Sequence, residues 1–182
     1  MSDRLEVSWD DYHQLIEALA LQVHESAWKP DVIVCMARGG LRVGDVFSRL
    51  FRLPLGVLFS SSYRERGGQE RGALQIGSEI ASVSQLPAGR WLLVDDLADS
   101  GGTLEGVLPW LSDRYPQIAQ LRTAVLWTKD GSRFRPDYSV ARVPASCWIA
   151  QPFERYDALS IEALSSSSAP TSDRQVQPAQ RP

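Results

Sequence analysis

The sequence predicts an α/β protein in which a parallel β-sheet is packed between helices. Short, continuous apolar runs such as Val32 to Ala37 and Trp91 to Val94 are bounded by charged or turn-forming residues. Such runs are typical of strands that are buried on both faces. Segments with apolar residues at helical spacing alternate with them, which favours parallel strands joined by helical crossovers. The 182 residues, of which 43% are hydrophobic, suffice for one domain whose core needs no disulfide or metal.

The first half of the chain predicts two helices and two strands in alternation. Ser8 is placed to cap the first helix, and Asp11 occupies its third position, which is a capping-box arrangement. Apolar residues then recur at helical spacing, and the helix is expected to end before Lys29-Pro30. The elements that follow are a strand over Asp31–Met36, a helix over Leu41–Phe51 and a strand over Leu53–Phe59.

The second half continues the alternation after a polar interruption. The segment Ser60–Gly72 carries Gly67-Gly68 among arginines and glutamates, and it predicts a long loop of the kind that is either functional or disordered. Strands are predicted over Arg90–Val94 and Leu121–Thr128. Between them lies a predicted helix over Leu104–Tyr115, which Pro109 is expected to kink or shorten.

The composition changes near the C-terminus. Residues Ser165 to Pro182 are rich in Ser, Pro, Gln and Arg and contain no aromatic residue. Such a segment buries too little apolar surface to offset the entropy lost on ordering. The sequence therefore predicts a folded domain over 1–164 and a disordered tail over 165–182.

Charge and composition exclude several classes of protein. The formal net charge of −3 gives no global basic surface for nucleic acid or anionic lipid. The longest apolar runs are too short to span a bilayer, and we expect no secretory signal at Met1 to Arg4. Cys35 and Cys147 are expected to be buried, reduced thiols, which fits a cytoplasmic protein.

The run Val94 to Leu104 contains the strongest chemical signal in the chain. A buried strand leads through acidic residues into a glycine-containing turn and then a helix. Ligands bind at the carboxyl ends of strands in open α/β sheets, and a helix N-terminus offers backbone N–H groups to an anion. Gly101 and Gly102 allow a close backbone approach, while Ser100 and Thr103 add hydroxyl donors. This turn is therefore predicted to bind a phosphate.

The acidic residues beside this turn indicate that its ligand is more than a bare phosphate. Asp95, Asp96 and Asp99 would repel an isolated anion, but they suit a ligand that also presents hydroxyls, a metal ion or developing positive charge. A ribose 5-phosphate meets this requirement, and carboxylates beside its C1 would stabilise an oxocarbenium-like transition state.

Other interpretations of the same run stay open at this point. The acids could be a solvated strand end and a helix cap. The nucleotide-binding pattern GxxxxGK[ST] is absent. Asp99-Ser100-Gly101 mimics an aspartic-protease triplet, but such enzymes need two of these loops. The acidic pair is also similar to that of receiver domains, although too little ordered chain follows it.

The run Val94 to Leu104 closely resembles the motif that binds phosphoribosyl pyrophosphate (PRPP) in type I phosphoribosyltransferases. The branch of that family that acts on 6-oxopurines has an aspartate at the position of Asp99, and the sequence resembles that branch. The resemblance implies that Asp95 and Asp96 bind ribose hydroxyls, directly or through metal-bound water. It also implies that Asp99 contacts purine N7 as the proton-transfer group. The residues implied to hold the 5-phosphate are Ser100, Gly101, Gly102 and Thr103.

Four further segments are similar to the same family. Arg38-Gly39-Gly40 resembles its pyrophosphate loop, which suits backbone amides and a guanidinium. Ser62-Tyr63 resembles its mobile lid. Lys129 resembles the lysine that donates to the purine 6-oxygen. The segment Cys147–Phe153 resembles the hood of xanthine-guanine enzymes, in which Trp148 would stack on the base and the Ile149 carbonyl would face its 2-position.

The resemblance implies a function as well as a fold. The fold would be a Rossmann-like parallel sheet flanked by helices, with a small C-terminal hood. The reaction would transfer the phosphoribosyl group from PRPP to xanthine, guanine or hypoxanthine, giving a nucleoside monophosphate and pyrophosphate in purine salvage. Mg²⁺ would hold the pyrophosphate, with Asp95 and Asp96 as its candidate ligands. The family also implies a homodimer or homotetramer.

Two alternatives to this function remain. The protein could be a regulator that binds PRPP or a nucleotide without chemistry, and a basic face would favour that interpretation. It could also be a transferase for another base. Lys129 and Trp148 favour the 6-oxopurine enzyme.

Overall fold

The computed structural model describes residues 4–64 and 71–167, with the side chains of 62–64, 71–73 and 167 left aside. Its helices and strands alternate in chain order up to the third strand, as predicted, but the described residues then include two runs of three consecutive strands. They are β1 (Arg4–Glu6), α1 (Trp9–Glu25), β2 (Val32–Ala37), α2 (Leu41–Phe51), β3 (Leu55–Arg64), β4 (Arg71–Ile76), β5 (Gly89–Ala98), α3 (Gly102–Arg114), β6 (Ile118–Lys129), β7 (Tyr138–Val143), β8 (Trp148–Ala150) and α4 (Ile161–Ser167), with a 3₁₀ turn at Glu154–Tyr156.

The main sheet has six strands in the order β4-β3-β2-β5-β6-β7. Every neighbouring pair is parallel except β3 and β4, which form an antiparallel hairpin. The central strand β2 is buried along its whole length, because helices cover both faces of the sheet. The predicted α/β class with a mostly parallel sheet is confirmed.

Alternate residues of the central strands face two separate cores. One core receives Ile33, Cys35 and Val94, and it lies under α1 and α2. The other receives Val34 and Leu93 and lies under α3. This two-residue period is the reason that the central strands are apolar throughout instead of alternating with polar residues.

The two ends of the chain meet in a second, smaller sheet. β1 pairs in parallel with β8, and the Val7 N–H donates to the Ala150 carbonyl at 3.1 Å. The expected hood is therefore present, and it is built from N-terminal as well as C-terminal residues.

Two expectations about element limits are wrong. The predicted loop over 60–72 belongs in large part to the β3–β4 hairpin, whose serine-rich edge lacks the apolar pattern that identifies a strand. Pro109 was expected to kink or shorten α3, but it does not shorten the helix, which continues to Arg114, and the kink stays a prediction. Pro109 has no N–H to donate to the Glu105 carbonyl, but both residues are exposed, so this carbonyl can bind water.

The C-terminal region is described only in part. The first three residues of the predicted tail, 165–167, lie in α4, and 168–182 fall outside the described residues.

No helix within 4–64 and 71–167 has the length and apolarity needed to cross a membrane.

Candidate active site

The sheet brings the predicted site residues together at the carboxyl ends of its parallel strands. The chain leaves the neighbouring strands β2 and β5 toward opposite edges of the sheet. The crevice between their ends is the switch point at which such sheets bind ligands. A cleft of about 650 Å³ opens there. The predicted residues that line it are Arg38, Gly39, Asp95, Asp96 and Thr103.

Two glycines allow the loop after β2 to pack directly against the acidic end of β5. A Cβ on Gly39 would lie 2.5 Å from Asp96 Oδ1. A Cβ on Gly40 would lie 2.6 Å from the Val94 carbonyl oxygen. No side chain fits at either position, so the glycines of the predicted pyrophosphate loop are explained by a close backbone approach.

Arg38 presents a cation at the edge of the cleft. The Ala37–Arg38 peptide bond is cis. The Arg38 side chain is exposed and forms a loose ion pair, with Nη2 3.4 Å from Asp157 Oδ1. Exposed ion pairs contribute little, so the guanidinium can exchange this partner for a ligand phosphate.

Asp95 and Asp96 form a half-buried pair near the end of β5. The Asp96 N–H donates to Asp95 Oδ1 at 3.0 Å, and Gln151 Nε2 donates to Asp96 Oδ2 at 2.6 Å. Burial, and after it the charge on Asp96, raises the pKa of Asp95 well above its usual range. Burial also raises the pKa of Asp96. Hydroxyl donors or a cation would stabilise the two charges.

The donor set of this pair fits Mg²⁺. Asp95 and Asp96 offer hard oxygen ligands on adjacent residues. Within the described part of the chain, no group of three or more His, Cys, Asp or Glu residues could hold a metal on its own. Water and substrate oxygens would have to complete the coordination, and Mg²⁺ prefers that arrangement over an all-protein cage.

The turn before α3 is shaped for an anion. Gly101 has a φ of 80°, in the left-handed region, and a Cβ there would lie 2.5 Å from Phe134 Cβ. No side chain caps α3, and the contact from the Gly102 N–H to Ser100 Oγ is long at 3.4 Å. Backbone N–H groups of the first helical turn, together with the Ser100 and Thr103 hydroxyls, can therefore bind a phosphate.

Asp99 and Lys129 meet on neighbouring strand ends. Ala98 and Thr128 are register partners, so the next residue of each strand lies at the same level. Lys129 Nζ is 3.2 Å from Asp99 Oδ1, and the lysine side chain is only 14% exposed. The two residues predicted to recognise the purine are thus already in contact.

The hood contributes to the cleft through different residues than predicted. Gln151 and Phe153 line the cleft, whereas Trp148 and Ile149 do not. The Trp148 side chain is 49% exposed and Ile149 is buried. The stacking role of Trp148 therefore stays a prediction.

The predicted lid is only partly described. Ser62 and Tyr63 lie on β3, and Ser62 pairs with Leu74 across the hairpin. Their side chains, and all of 65–70, fall outside the described residues, so the lid also stays a prediction.

Three site residues were not found from the sequence. Gln151 contacts Asp96, and Arg42 lies with its guanidinium carbon 4.2 Å from the centre of the Phe153 ring. Arg133 Nη2 lies 3.7 Å from the place of a Cβ on Gly102, beside the phosphate turn. Gln151 closely follows Trp148, and Arg42 follows Gly40 by two residues, so both had a usable signal nearby in the sequence, but Arg133 reaches the site only through long-range packing.

The fold and the site together define an α/β protein with an uncapped helix N-terminus beside strand-end carboxylates. Residues 8–158 match the phosphoribosyl transferase domain family, and the chain belongs to that family. It therefore has the type I phosphoribosyltransferase fold.

Named relatives agree with this assignment. The chain is 30% identical over 149 residues to a xanthine-guanine phosphoribosyltransferase of Chromohalobacter salexigens, covering 81% of this chain and 82% of the relative. A purine phosphoribosyltransferase structure from Pyrococcus horikoshii is 32% identical, with a TM-score of 0.68 over 83% of this chain and 93% of that one. The Helicobacter pylori xanthine-guanine-hypoxanthine phosphoribosyltransferase is 26% identical, with a TM-score of 0.70 over 90% and 99%.

Proposed function

We propose that this protein transfers the 5-phosphoribosyl group of PRPP to a 6-oxopurine base, releasing pyrophosphate and forming a nucleoside monophosphate for purine salvage. The observation that carries the proposal is the Asp99–Lys129 pair, 3.2 Å apart, at the strand end that leads into the phosphate turn. A carboxylate and an ammonium group side by side match a base that presents a proton to be removed and a carbonyl oxygen. The names of the relatives from Chromohalobacter salexigens and Pyrococcus horikoshii support a purine substrate.

The cleft residues would divide the work of binding PRPP. The turn over 100–103 holds the 5-phosphate, and the Arg38 loop holds the pyrophosphate. Asp95 and Asp96 accept hydrogen bonds from ribose hydroxyls or hold Mg²⁺ directly or through water. Bound there, Mg²⁺ would neutralise charge that builds up on the leaving pyrophosphate.

The chemical step needs one proton transfer. A bond forms between a ring nitrogen of the base and ribose C1 as the bond from C1 to the pyrophosphate oxygen breaks. Asp99 accepts the proton that the base gives up, while Lys129 donates a hydrogen bond to the 6-oxygen. The carboxylates beside C1 stabilise the positive charge of the transition state.

A direct assay tests the function. The purified chain is mixed with PRPP, Mg²⁺ and xanthine, guanine, hypoxanthine or adenine in separate reactions, and nucleotides are separated by chromatography. We expect monophosphates from one or more of the 6-oxopurines and none from adenine. Product from adenine alone would assign another base, and binding of PRPP without any product would favour the regulatory alternative.

The cellular setting is part of the same proposal. We propose a cytoplasmic enzyme that works as a homodimer or homotetramer. Cys35 and Cys147 are both free and buried, which suits a reducing compartment. Light scattering of the purified protein measures the subunit number, and a monomer at assay concentrations would contradict the assembly.

A further inference from the structure

Gln151 connects the hood to the end of β5. It follows β8 directly, it is only 7% exposed, and it lines the cleft. Its Nε2 donates to Asp96 Oδ2 at 2.6 Å. Since β8 pairs with β1 outside the main sheet, this hydrogen bond lets the hood act directly on a carboxylate of the PRPP cleft.

The surroundings of Asp96 are unusual in their unpaired polar atoms. Within the described residues, the buried side-chain atoms that lack a hydrogen-bond partner are Tyr12 Oη and Gln151 Oε1. Gln151 touches Asp96 directly, and after burial the charge of Asp96 is the main cause that raises the pKa of Tyr12. Buried polar atoms without partners cost stability, and native proteins contain few of them. Both of them lie around Asp96, which indicates a neighbourhood shaped by something other than stability.

We propose that Gln151 is a positioning residue, which holds the Asp96 carboxylate in the orientation that receives the ribose hydroxyls of PRPP. This inference rests on the proposed function. A hydrogen bond from an amide to a carboxylate has a strong directional preference because the acceptor is charged. Gly39 packs against the same carboxylate, since even a Cβ there would meet the Asp96 oxygens. The glycine loop and the hood therefore both limit the orientation of the carboxylate.

The test replaces Gln151 in the full chain and measures kcat and KM separately. For Gln151→Leu we expect the KM for PRPP to rise about tenfold or more, as is typical when a hydrogen bond to a charge is lost. The KM for the purine should change little. The kcat at saturating PRPP should also change little, whereas a merely structural role would lower kcat and raise the KM for both substrates together.

Gln151→Glu gives a second, independent signature. The new carboxylate cannot donate to Asp96 and places a like charge beside it. We expect a KM for PRPP at least as high as in Gln151→Leu, again with little change in the KM for the purine. This variant keeps the size of the side chain, so it serves even if Gln151→Leu folds poorly.

A matched control separates positioning from general damage. Gln120→Leu removes a hydrogen bond of the same 2.6 Å length, which Trp28 Nε1 donates to Gln120 Oε1 away from the cleft. It should not change the KM for PRPP. An equal rise in the control, or an unchanged KM in Gln151→Leu, would overturn the inference.

The inference and the proposed function can fail separately. Calorimetry of PRPP binding with Mg²⁺ measures positioning without turnover. If the wild type binds PRPP but makes no nucleotide, the proposed function fails while weaker binding by Gln151→Leu still supports the inference. If the wild type does not bind PRPP, both are wrong.

Discussion

Asp99 and Lys129 form their ion pair before any base is bound. Asp99 Oδ1 faces Lys129 Nζ at 3.2 Å, and the other oxygen, Oδ2, has no recorded partner within the described residues. The pair thus leaves one carboxylate oxygen free to take a proton. The lysine is nearly buried, so the contact also provides a counter-charge for an ammonium group that has lost most of its water.

Replacing the Asp99 carboxylate by an amide should separate chemistry from binding. For Asp99→Asn we expect kcat to fall about 10²- to 10⁴-fold, the usual contribution of a positioned acid or base. The KM for PRPP should change far less, because the amide keeps the size of the side chain. Steady-state kinetics with a 6-oxopurine measures both constants. Asp130→Asn is a control, since Asp130 forms an exposed ion pair with Arg142 one residue beyond Lys129. An equal loss of kcat and PRPP affinity in Asp99→Asn would reassign Asp99 to binding.

Gly101 is constrained by both its backbone and its neighbour. Its φ of 80° disfavours any side chain, and a Cβ would lie 2.5 Å from Phe134 Cβ. We expect Gly101→Ala to lower the free energy of unfolding by about 1–3 kcal/mol, as is typical of strained backbone positions. Urea denaturation measures the change. Gly131→Ala is the matched control, because a Cβ there would be an ordinary 3.5 Å from Ala145 Cβ. Equal stability of the two variants would contradict the structural reason given for Gly101.

Elements whose stability depends on local sequence were predicted, and elements that depend on distant partners were not. The apolar runs of β2 and β5 identify buried strands, and the Ser8–Asp11 pair identifies the start of α1. By contrast, β7 has one fully buried residue, Val143, so its pattern does not distinguish it from a loop. The three-residue strands of the hood exist only because the two ends of the chain pair with each other.

The residues of the candidate site likewise fall into those that the local sequence predicts and those that depend on distant contacts. The Asp95–Thr103 run is contiguous, so its chemistry could be inferred from the sequence together with the resemblance. Gln151 lies in the hood segment that the resemblance identified, but its contact with Asp96, 55 residues away in the chain, cannot be inferred from the local sequence. Arg133 approaches the phosphate turn because its N–H donates to the Ser100 carbonyl at 3.0 Å, a contact between separate loops. Such positions emerge only from the tertiary fold.

The capping box of α1 should contribute measurably to stability. The Asp11 N–H donates to Ser8 Oγ at 3.1 Å, and the Ser8 N–H donates to Asp11 Oδ2 at 3.2 Å. We expect Ser8→Ala to lower the free energy of unfolding by about 0.5–2 kcal/mol. Thermal or urea unfolding followed by circular dichroism measures it. In the control Ser112→Ala, an exposed serine in the last turn of α3 that donates to the Leu108 carbonyl is replaced by a better helix former. A loss in Ser112→Ala as large as that in Ser8→Ala would count against a specific capping effect.

At the scale of the whole molecule, the site lies where the covering helices stop and the sheet continues. β5 extends to Ala98, so its acidic residues lie beyond the fully buried segment that ends at Val94. The loops after β2 and β5 and the hood then surround these acids. The protein therefore holds like charges close together at the position where we propose that PRPP binds, and a bound cation or hydroxyl donors would recover the stability lost there.

That arrangement predicts a conflict between stability and function at Asp95. Its pKa is raised in the folded state, first by burial and then by the charge of Asp96. The folded state therefore binds the proton more tightly than the unfolded state. The free energy of unfolding falls as the pH rises above about 4, which is the pKa of an aspartate in the unfolded chain. Asp95→Asn removes this group, so the variant should unfold at a higher temperature than the wild type at pH 8, with a smaller difference at pH 5. Each kcal/mol gained corresponds to about 2–4 °C in a chain of this size. Differential scanning calorimetry without ligands measures the two melting temperatures, and Asp113→Asn, at an exposed position on α3, is the control. A variant that is less stable than the wild type at pH 8 would show that the charge at position 95 is satisfied by the fold alone, without any help from a ligand.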